Sequence, residues 1–528
     1  MLGRITGIAA RPALAALLVA LLPLSVHAAR SAADAQAFAQ ALQLGDAAAL
    51  RRVIIEMGTR DLVAGAKADG PIVGTAPIED FLLQRPEVWL DPAYWSSYVN
   101  EVLLDFHFML PMPLDPVKPE AFLPNVPVAN GAYVSPLPQA VQDISQISYE
   151  WLGGTKTVQD FVHSTETDVV AIVHNGVLVG EIYANGYSPE TRHQPWSVTK
   201  TFIAAVIGLA VEEGLIRSLQ DPIDAYIADL EGTAWEGVSI ENILQMESGV
   251  HWDEGTPVLV VNTQVEQWVD LALDLYTQGA LGQTRNEFLA SLPQVYAPGT
   301  EFRYNSGNTQ VLAWLLETLY GQTFNDILAA KLWQPLGAAG DAVMISDRVG
   351  AVVASQGLYA RPYDFARFGE LLRNGGRTSD GRRVLPGHWI TAMTRMTEVS
   401  GGAYGYQTWA APTAGAGAFS ASGFQGQKIT VVPEACITGV RLSHDLGADL
   451  REGDDPTDPD AYGFVVEMGG EEFYTMLAAV AKELGGCKSG AAPTPGGAGN
   501  GGGGGGALMP WWLLPLAALR GWRRRRSA

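Results

Sequence analysis

A serine and a lysine three residues apart are the side chains in this sequence best suited to nucleophilic chemistry. Ser197 and Lys200 begin a strongly apolar, alanine-rich stretch that ends at Gly214, and this pattern predicts a helix. Side chains three positions apart share one helix face, so the hydroxyl and the amine can come within hydrogen-bond reach. An apolar environment disfavours the charged form of an amine, which turns a lysine into a general base. Free N–H groups at the helix start also favour negative charge that develops there.

The S-x-x-K spacing is short, and its meaning depends on context. The alternative is a helix-capping Ser197 followed by a surface Lys200 whose charged end reaches solvent. Two observations favour the catalytic interpretation: the chain contains this spacing once, and the helix that it opens is apolar enough to be buried.

A hydrolase built on serine and lysine also needs a proton carrier near the leaving group and two N–H donors for the oxyanion. Tyr304 and Ser306 lie in a predicted turn before a helix, where a phenol and a hydroxyl can face one cleft. Residues 421–427 (ASGFQGQ) form a predicted glycine-flanked turn, which lets main chain approach a substrate closely. The alternatives are an ordinary tyrosine at a helix start and a plain hairpin turn.

The surrounding pattern predicts one antiparallel sheet assembled from both ends of a domain. Two β-rich runs precede the Ser197 helix, and the Asn175-Gly176 pair between them is a strong hairpin signal. A helical region with loops follows from about residue 221 to 395, after which strand patterns return and an amphipathic helix closes the domain. We therefore predict an α/β (α+β) fold: an antiparallel β-sheet flanked by N- and C-terminal helices, with a large helical insertion and an N-terminal extension. The predicted strands are residues 168–173, 177–183, 404–409, 428–432 and 437–442, and the clearest helices are 309–320, 363–373 and 471–484.

The two termini predict export. Residues 1–28 resemble a signal peptide, with Arg4 and Arg11 before an apolar stretch and a small-residue cleavage site at Ala28. Residues 29–147 form an extension of unknown role, residues 148–485 the hydrolase domain, and residues 486–506 a glycine-rich linker. Residues 507–528 combine an apolar span with an arginine cluster, which by the positive-inside rule leaves the body of the protein outside the cytoplasm.

The C-terminal tail resembles the Gly-Gly sorting signals of Gram-negative bacteria. The resemblance implies that signal peptidase and a rhomboid-type sorting protease process the chain, and a permanent inner-membrane anchor is the alternative. Both place the protein in the periplasm, at the cell surface or outside the cell, in contact with the membrane only through its terminal segments.

Composition excludes some partners, but it does not decide whether the two cysteines are paired. The net charge of −22 argues against nucleic acid and anionic membrane surfaces, since both require a basic face. Cys436 and Cys487 could form one disulfide in an exported chain, or remain two free thiols. His193 is close to Ser197 and could line the cleft, but we predict a solvent-exposed loop residue. No H-E-x-x-H pattern or Cys/His cluster occurs, so we expect no metal site and no cofactor.

Several motifs together resemble the serine β-lactamase and penicillin-binding superfamily, in its class C-like branch. Within that branch the sequence is most similar to the 6-aminohexanoate-oligomer hydrolases and carboxylesterase-like serine hydrolases, over about residues 148–484. The motifs are 196–200 (WSVTK), 243–250 (ILQMESGV), 304–308 (YNSGN), 381–386 (GRRVLP), 404–407 (YGYQ) and 423–427 (GFQGQ) with 432–434 (VPE) behind it.

The resemblance implies a role for each site residue. Ser197 would be the nucleophile, Lys200 its base, and Tyr304 the group that relays the proton to the leaving group. The oxyanion hole would come from the backbone N–H groups of Ser197 and of Phe424 or a neighbour, beside Gly423. Ser306 takes the place of an asparagine of class C β-lactamases, and the Lys-Thr-Gly box is absent, so a β-lactam substrate is disfavoured. From the residues themselves, the side chains of Trp196, Trp252 and Trp409 are candidate substrate walls.

The function predicted is therefore an exported serine hydrolase that cleaves an amide or ester bond of a small or oligomeric substrate through an acyl-enzyme. One alternative is a DD-peptidase or β-lactamase of the same fold. Another is a non-catalytic cell-surface binding protein, with residues 31–146 as the binding part.

Overall fold

The computed structural model describes residues 125–165, 167–252, 284–346, 350–443 and 459–488. The signal peptide, most of the N-terminal extension, nearly all of the linker and the terminal span lie outside these residues, so those predictions stay predictions. Within the described ranges, no helix combines the length and the apolar character needed to cross a bilayer.

The described residues form the following strands and α-helices. The strands are β1 Asn125–Val128, β2 Ser148–Trp151, β3 Gly154–Thr157, β4 Thr167–His174, β5 Val177–Tyr183, β6 Ala342–Ile345, β7 Leu358–Tyr359, β8 Trp409–Ala410, β9 Phe419–Gly423, β10 Gln427–Val432 and β11 Ile437–Ser443. The α-helices are α1 Val158–Ser164, α2 Thr199–Glu212, α3 Ile240–Leu244, α4 Arg285–Ser291, α5 Ser306–Tyr320, α6 Phe324–Leu328, α7 Gln334–Leu336, α8 Pro362–Arg373, α9 Gly387–Met393 and α10 Pro459–Leu484.

The central sheet joins the two ends of the domain, as the sequence predicts. Its order is β5-β4-β11-β10-β9-β8, and every neighbouring pair is antiparallel. The first hairpin meets the last one through β4 and β11, with His174 opposite Ile437. Asn175 and Gly176 turn the first hairpin with φ of 53° and 79°, which is the left-handed pair that a two-residue turn of this kind requires. The predicted hairpin is confirmed.

Helices cover both faces of this sheet. All residues of β4 are buried, and their side chains alternate between two core clusters: Val169, Ala171 and Val173 on one side, Val170 and Ile172 on the other. Helices α1 and α10 pack on the second side, while α2 and α8 belong to the first. Because β4 buries both faces, its residues 169–173 form a continuous apolar run. The flanking N- and C-terminal helices are as predicted.

The region between the two halves of the sheet is mainly helical, but two of its strands, β6 and β7, join β1 in a small sheet that the sequence does not predict. The strand order is β1-β6-β7, and both pairs are antiparallel. Strand β1 precedes the expected start of the hydrolase domain at residue 148, and its Val128 is fully buried in the main core.

Three predicted boundaries differ from the structure. A strand over residues 404–409 is wrong except at its end, because Tyr406 and Gln407 donate backbone hydrogen bonds to Met393 and Leu244 of the helical region. Strand β9 covers part of the expected turn at 421–427. Helix α10 begins well before residue 471.

Candidate active site

Ser197 and Lys200 meet at the start of α2. A short 3₁₀ helix, Trp196–Val198, leads directly into this helix, and we call residues 195–198 the serine turn. Ser197 is half-buried, whereas Lys200 is only 1% exposed. The Nζ of Lys200 lies 2.8 Å from the Oγ of Ser197, as a hydrogen bond. The one-turn spacing thus brings the amine to the hydroxyl.

The surroundings of Lys200 hold its amine in place. Its Nζ also donates to the carbonyl oxygen of Ser355, at 3.1 Å, and lies 5.0 Å from the centre of the Tyr304 ring. Burial disfavours the ammonium form, and a neutral amine at this distance can accept the hydroxyl proton of Ser197. The Ser355 carbonyl is a partner that sequence reasoning missed, because a main-chain group leaves no signature in residue types.

Tyr304 enters the site from the start of α5. Asn305 caps this helix, since its side chain accepts from the backbone N–H of Asn308. The Tyr304 ring stacks on Trp409, with 5.6 Å between ring centres, and meets the edge of Tyr404 at 6.1 Å. Tyr304 is therefore packed against aromatic rings and also faces Lys200.

A buried network fixes α5 against α2 and α3. Ser248 donates to the side chain of Asn308 at 2.9 Å. Thr309 donates to the side-chain oxygen of Gln407 at 2.7 Å, and the backbone oxygen of Gln407 accepts from Thr201 of α2 at 2.7 Å. Gln407 itself has φ of 50°. Its role was missed by sequence reasoning, although it closes the YGYQ motif.

The end of β9 lies against the serine turn. A Cβ added to Gly423 would lie 2.2 Å from the carbonyl oxygen of Pro195 and 3.1 Å from the backbone nitrogen of Ser197. The backbone of Gly423 is extended, so the absence of a side chain, rather than φ, is what the position requires. Phe424 meets the edge of Trp196 at 5.3 Å between ring centres. This arrangement places the main chain of residues 423–424 beside the N–H of Ser197.

Two other predicted residues line or adjoin this region. Ser306 is the first residue of α5 and is 2% exposed. Its part in substrate binding stays a prediction. Trp252 is 8% exposed, and a Cβ on Gly307 would lie 2.8 Å from its ring. Trp252 therefore packs on the first turn of α5.

His193 differs from its prediction. It is 3% exposed, and its Nε2 lies 3.0 Å from the Oδ2 of Asp168. The expectation of a solvent-exposed loop histidine is therefore wrong. The polar partner on β4 lies twenty-five positions away in sequence, and a local sequence pattern does not indicate such a contact.

The two cysteines are paired: Cys436 and Cys487 form a disulfide. Among the residues that the structure describes, no group of three or more His, Cys, Asp or Glu side chains is arranged to hold a metal ion.

Comparisons with known proteins show what the chain is similar to. A family model described as Beta-lactamase matches residues 155–462. The 6-aminohexanoate-dimer hydrolase of Paenarthrobacter ureafaciens is 30% identical over 312 residues, which cover 55% of this chain and 76% of that protein. A D-aminopeptidase of Brucella anthropi is 28% identical over 150 residues, 28% of this chain and 26% of that protein. A solved structure from Bacillus anthracis, provisionally named 6-aminohexanoate-dimer hydrolase, has a TM-score of 0.56 and 25% identity, covering 66% of this chain and 91% of that one.

The matched region contains the serine turn, Lys200, Tyr304 and the end of β9, and more than half of the chain falls within it. The chain belongs to the beta-lactamase family, and it is a serine hydrolase that acts on amide or ester bonds.

Proposed function

We propose that the protein is an exported hydrolase that cleaves an amide or ester bond through an acyl-enzyme on Ser197. The observation that carries the proposal is the 2.8 Å hydrogen bond between Lys200 and Ser197. A buried amine in contact with a half-exposed hydroxyl is the arrangement that a general base and its nucleophile need.

In the acylation step, the Oγ of Ser197 attacks the substrate carbonyl carbon while its proton passes to the Nζ of Lys200. The carbonyl oxygen becomes an oxyanion. We assign its two donors to the backbone N–H groups of Ser197 and of Phe424 or a neighbour, because the end of β9 lies beside the serine turn. The side chain of Trp196 would form a wall of the same pocket.

Collapse of the tetrahedral intermediate breaks the bond to the leaving amine or alcohol, which must receive a proton. Tyr304 is the proposed relay from Lys200, since its ring lies 5.0 Å from the Nζ. In the second half-reaction Tyr304 and Lys200 would draw a proton from water, whose oxygen attacks the carbonyl carbon of the acyl-enzyme. The bond between the acyl group and the Oγ of Ser197 then breaks, the proton returns to this Oγ, and the acid is released. No metal or cofactor takes part in these steps.

The substrate class is an amide or ester of a small or oligomeric compound. The support is the similarity to the 6-aminohexanoate-dimer hydrolase over 76% of that protein. Export is supported by the character of residues 1–28 and by the disulfide, which suits an oxidising compartment. Signal peptidase and a rhomboid-type protease are the proposed processing partners.

The test is labelling of the full chain with a fluorophosphonate probe, together with turnover of p-nitrophenyl esters, nitrocefin and 6-aminohexanoate dimer. Wild type should gain one probe mass on Ser197, and Ser197→Ala should gain none. Lys200→Ala should lower the labelling rate by about 10²- to 10⁴-fold, since it removes a general base. Lys331→Ala, which removes a partly exposed lysine paired with Glu213, is the matched control and should label like wild type.

Three other outcomes would contradict the proposed nucleophile or favour an alternative function. Probe addition that persists in Ser197→Ala would remove Ser197 as the nucleophile. Rapid nitrocefin turnover or stable acylation by a penicillin would favour a DD-peptidase or β-lactamase. Neither labelling nor turnover on the whole panel would favour a non-catalytic binding protein.

A further inference from the structure

Two buried side chains hold the chain just ahead of the serine turn. His193 and Asp168 meet at 3.0 Å, with side chains that are 2% and 0% exposed. Asp168 belongs to β4 of the central sheet, and His193 lies four residues before Ser197. The pair therefore connects the buried central sheet to the segment that carries the proposed nucleophile.

Hydrogen bonds fix the orientation of this pair. The Nδ1 of His193 lies 2.8 Å from the carbonyl oxygen of Gln194, which can only accept, so Nδ1 carries a proton. The Nε2 faces the carboxyl group of Asp168. The other oxygen of Asp168 accepts from the side-chain amide of Asn185 at 2.9 Å. Each ring nitrogen of His193 therefore faces an oxygen atom within hydrogen-bond distance, which holds the ring at two points.

The serine turn needs such support because its backbone is strained. Trp196, directly before Ser197, has φ of 48°, a conformation that is costly for a bulky residue and persists only when its surroundings impose it. The backbone of His193 exchanges two hydrogen bonds with Ala360, at 2.9 and 3.2 Å. The side chain of Gln194 donates to the carbonyl of Gln356 at 3.1 Å. Residues 193 and 194 are thus anchored on two sides.

We propose that His193 and Asp168 are positioning residues that keep the serine turn in its strained conformation, with the Oγ of Ser197 at the Nζ of Lys200. The inference rests on the proposed role of Ser197 as nucleophile. Neither side chain touches substrate; the pair acts by fixing where the turn begins.

The first test uses Asp168→Asn, which keeps the size of the side chain but replaces one acceptor oxygen with a donor. The new amide nitrogen can face the His193 ring only when Nε2 carries no proton, so a charge-assisted contact is replaced by a weaker hydrogen bond between neutral groups. We expect kcat and the rate of fluorophosphonate labelling to fall by about 10- to 100-fold, with KM nearly unchanged, because a displaced nucleophile slows chemistry more than binding. His193→Gln should behave alike.

Glu370→Gln is the matched control. Glu370 forms a buried ion pair with Arg373 at 2.7 Å on α8, with both side chains 5% exposed. This variant should lose stability and keep the wild-type kcat, so it separates general destabilisation from the positioning effect.

A second measurement does not depend on activity. In full-length wild type with ¹⁵N-labelled histidines, the His193 ring, assigned by its loss in His193→Gln, should show an Nε2 signal that shifts in Asp168→Asn, because the carboxyl group that faces it is replaced. An Nε2 signal that is unchanged in Asp168→Asn would overturn the inference, as would wild-type labelling kinetics in the folded variant. If wild type is not labelled at Ser197 at all, the proposed function itself has failed, which the same experiment distinguishes.

Discussion

Gly423 lies so close to the serine turn that a single methyl group there would overlap with it. The added carbon would lie 2.2 Å from the Pro195 carbonyl oxygen, so in Gly423→Ala the end of β9 must move away from Ser197. Loss of one oxyanion donor costs about 10²- to 10³-fold in kcat, and we expect a fall of that order in ester turnover.

The control for this prediction is Gly154→Ala on β3, where the nearest atom outside the neighbouring residues is 3.8 Å from the new carbon. It should keep wild-type activity and melting temperature. A folded Gly423→Ala enzyme with wild-type turnover would show that β9 does not border the oxyanion.

Trp409 supports the ring that we assign to proton relay. Its stacking on Tyr304 is an aromatic pair of the kind worth about 0.5–1.5 kcal/mol. Trp409→Ala should therefore lower kcat by about 2- to 10-fold, with Trp409→Phe close to wild type. Steady-state kinetics of both variants, beside Trp314→Ala further along α5, is the measurement. An equal loss in Trp314→Ala would mean that the effect is not local to Tyr304.

Glu247 should make stability depend on pH. Burial raises the pKa of its carboxyl group above the ordinary range, and the hydrogen bond from Thr397 offsets only part of this. The folded chain then holds this proton to higher pH than the unfolded chain. The free energy of unfolding therefore falls as pH rises from the ordinary glutamate pKa through the raised one.

Glu247→Gln removes that loss, so it should melt above wild type at pH 8, and the difference should shrink towards pH 4. Thermal unfolding across this range, with exposed Glu231→Gln as the control, is the measurement. A variant that melts below wild type at pH 8 would show that Glu247 is stabilising when ionised.

Residue types and spacing reveal only part of the site. Ser197 and Lys200 are one helical turn apart, so a local pattern predicts their contact. The partners of this pair come from far along the chain: the Ser355 carbonyl is 155 positions from Lys200. Such contacts are created by packing, and the types of the residues involved do not indicate them.

At the scale of elements, α2 depends on a close approach to α9. A Cβ on Gly208 would lie 2.3 Å from the ring of Trp389, whose Nε1 donates to the Ala204 carbonyl at 2.9 Å. Alanine normally improves a helix by about 1 kcal/mol over glycine. Here overpacking costs about 1–3 kcal/mol, so Gly208→Ala should destabilise the protein.

Urea unfolding of Gly208→Ala decides between the two effects. Glu212→Ala, exposed on the same helix, should change the free energy of unfolding by less than about 0.5 kcal/mol. A more stable Gly208→Ala would mean that α9 can move aside at little cost.

Elements with a local signal were predicted well, and those defined by distant partners were not. The Asn175-Gly176 hairpin, α5 and α8 follow from turn chemistry and periodicity. Strand β1 has four residues and pairs with β6 more than two hundred positions later. The stretch 404–409 alternates like a strand, yet its hydrogen bonds go to the helical region. Local pattern cannot anticipate either outcome.

At the scale of the whole molecule, the central sheet is assembled from segments at the two ends of the domain, and α10 packs on one of its faces. The predicted order of early hairpin, helical insertion, late strands and terminal helix is confirmed, because that order follows from counting elements along the chain. What fixes α10 to the sheet was left open by the sequence. Phe473 and Leu477 pack below β11, and beyond the helix end Cys487 is bonded to Cys436 in the turn between β10 and β11.

The disulfide should therefore stabilise the fold without contributing to catalysis. It closes a loop of 51 residues, and constraint of the unfolded chain over that length is worth about 4 kcal/mol in the chain-entropy treatment. Gln427 pairs with Gly423 at the end of β10 near the serine turn, whereas Val432 and Ile437 pair at the opposite end, next to Cys436. The cross-link thus lies one strand length away from the proposed oxyanion donors.

A double variant, Cys436→Ser with Cys487→Ser, should lose about 4 kcal/mol in urea unfolding and keep wild-type kcat at 25 °C. Because Cys487 is exposed, a reducing agent should lower the stability of wild type to that of the variant and leave the variant itself unchanged. If neither the double substitution nor the reducing agent lowers the free energy of unfolding, α10 is held by apolar packing alone. A loss of kcat in the folded variant would instead show that the far end of the sheet controls the position of the serine turn.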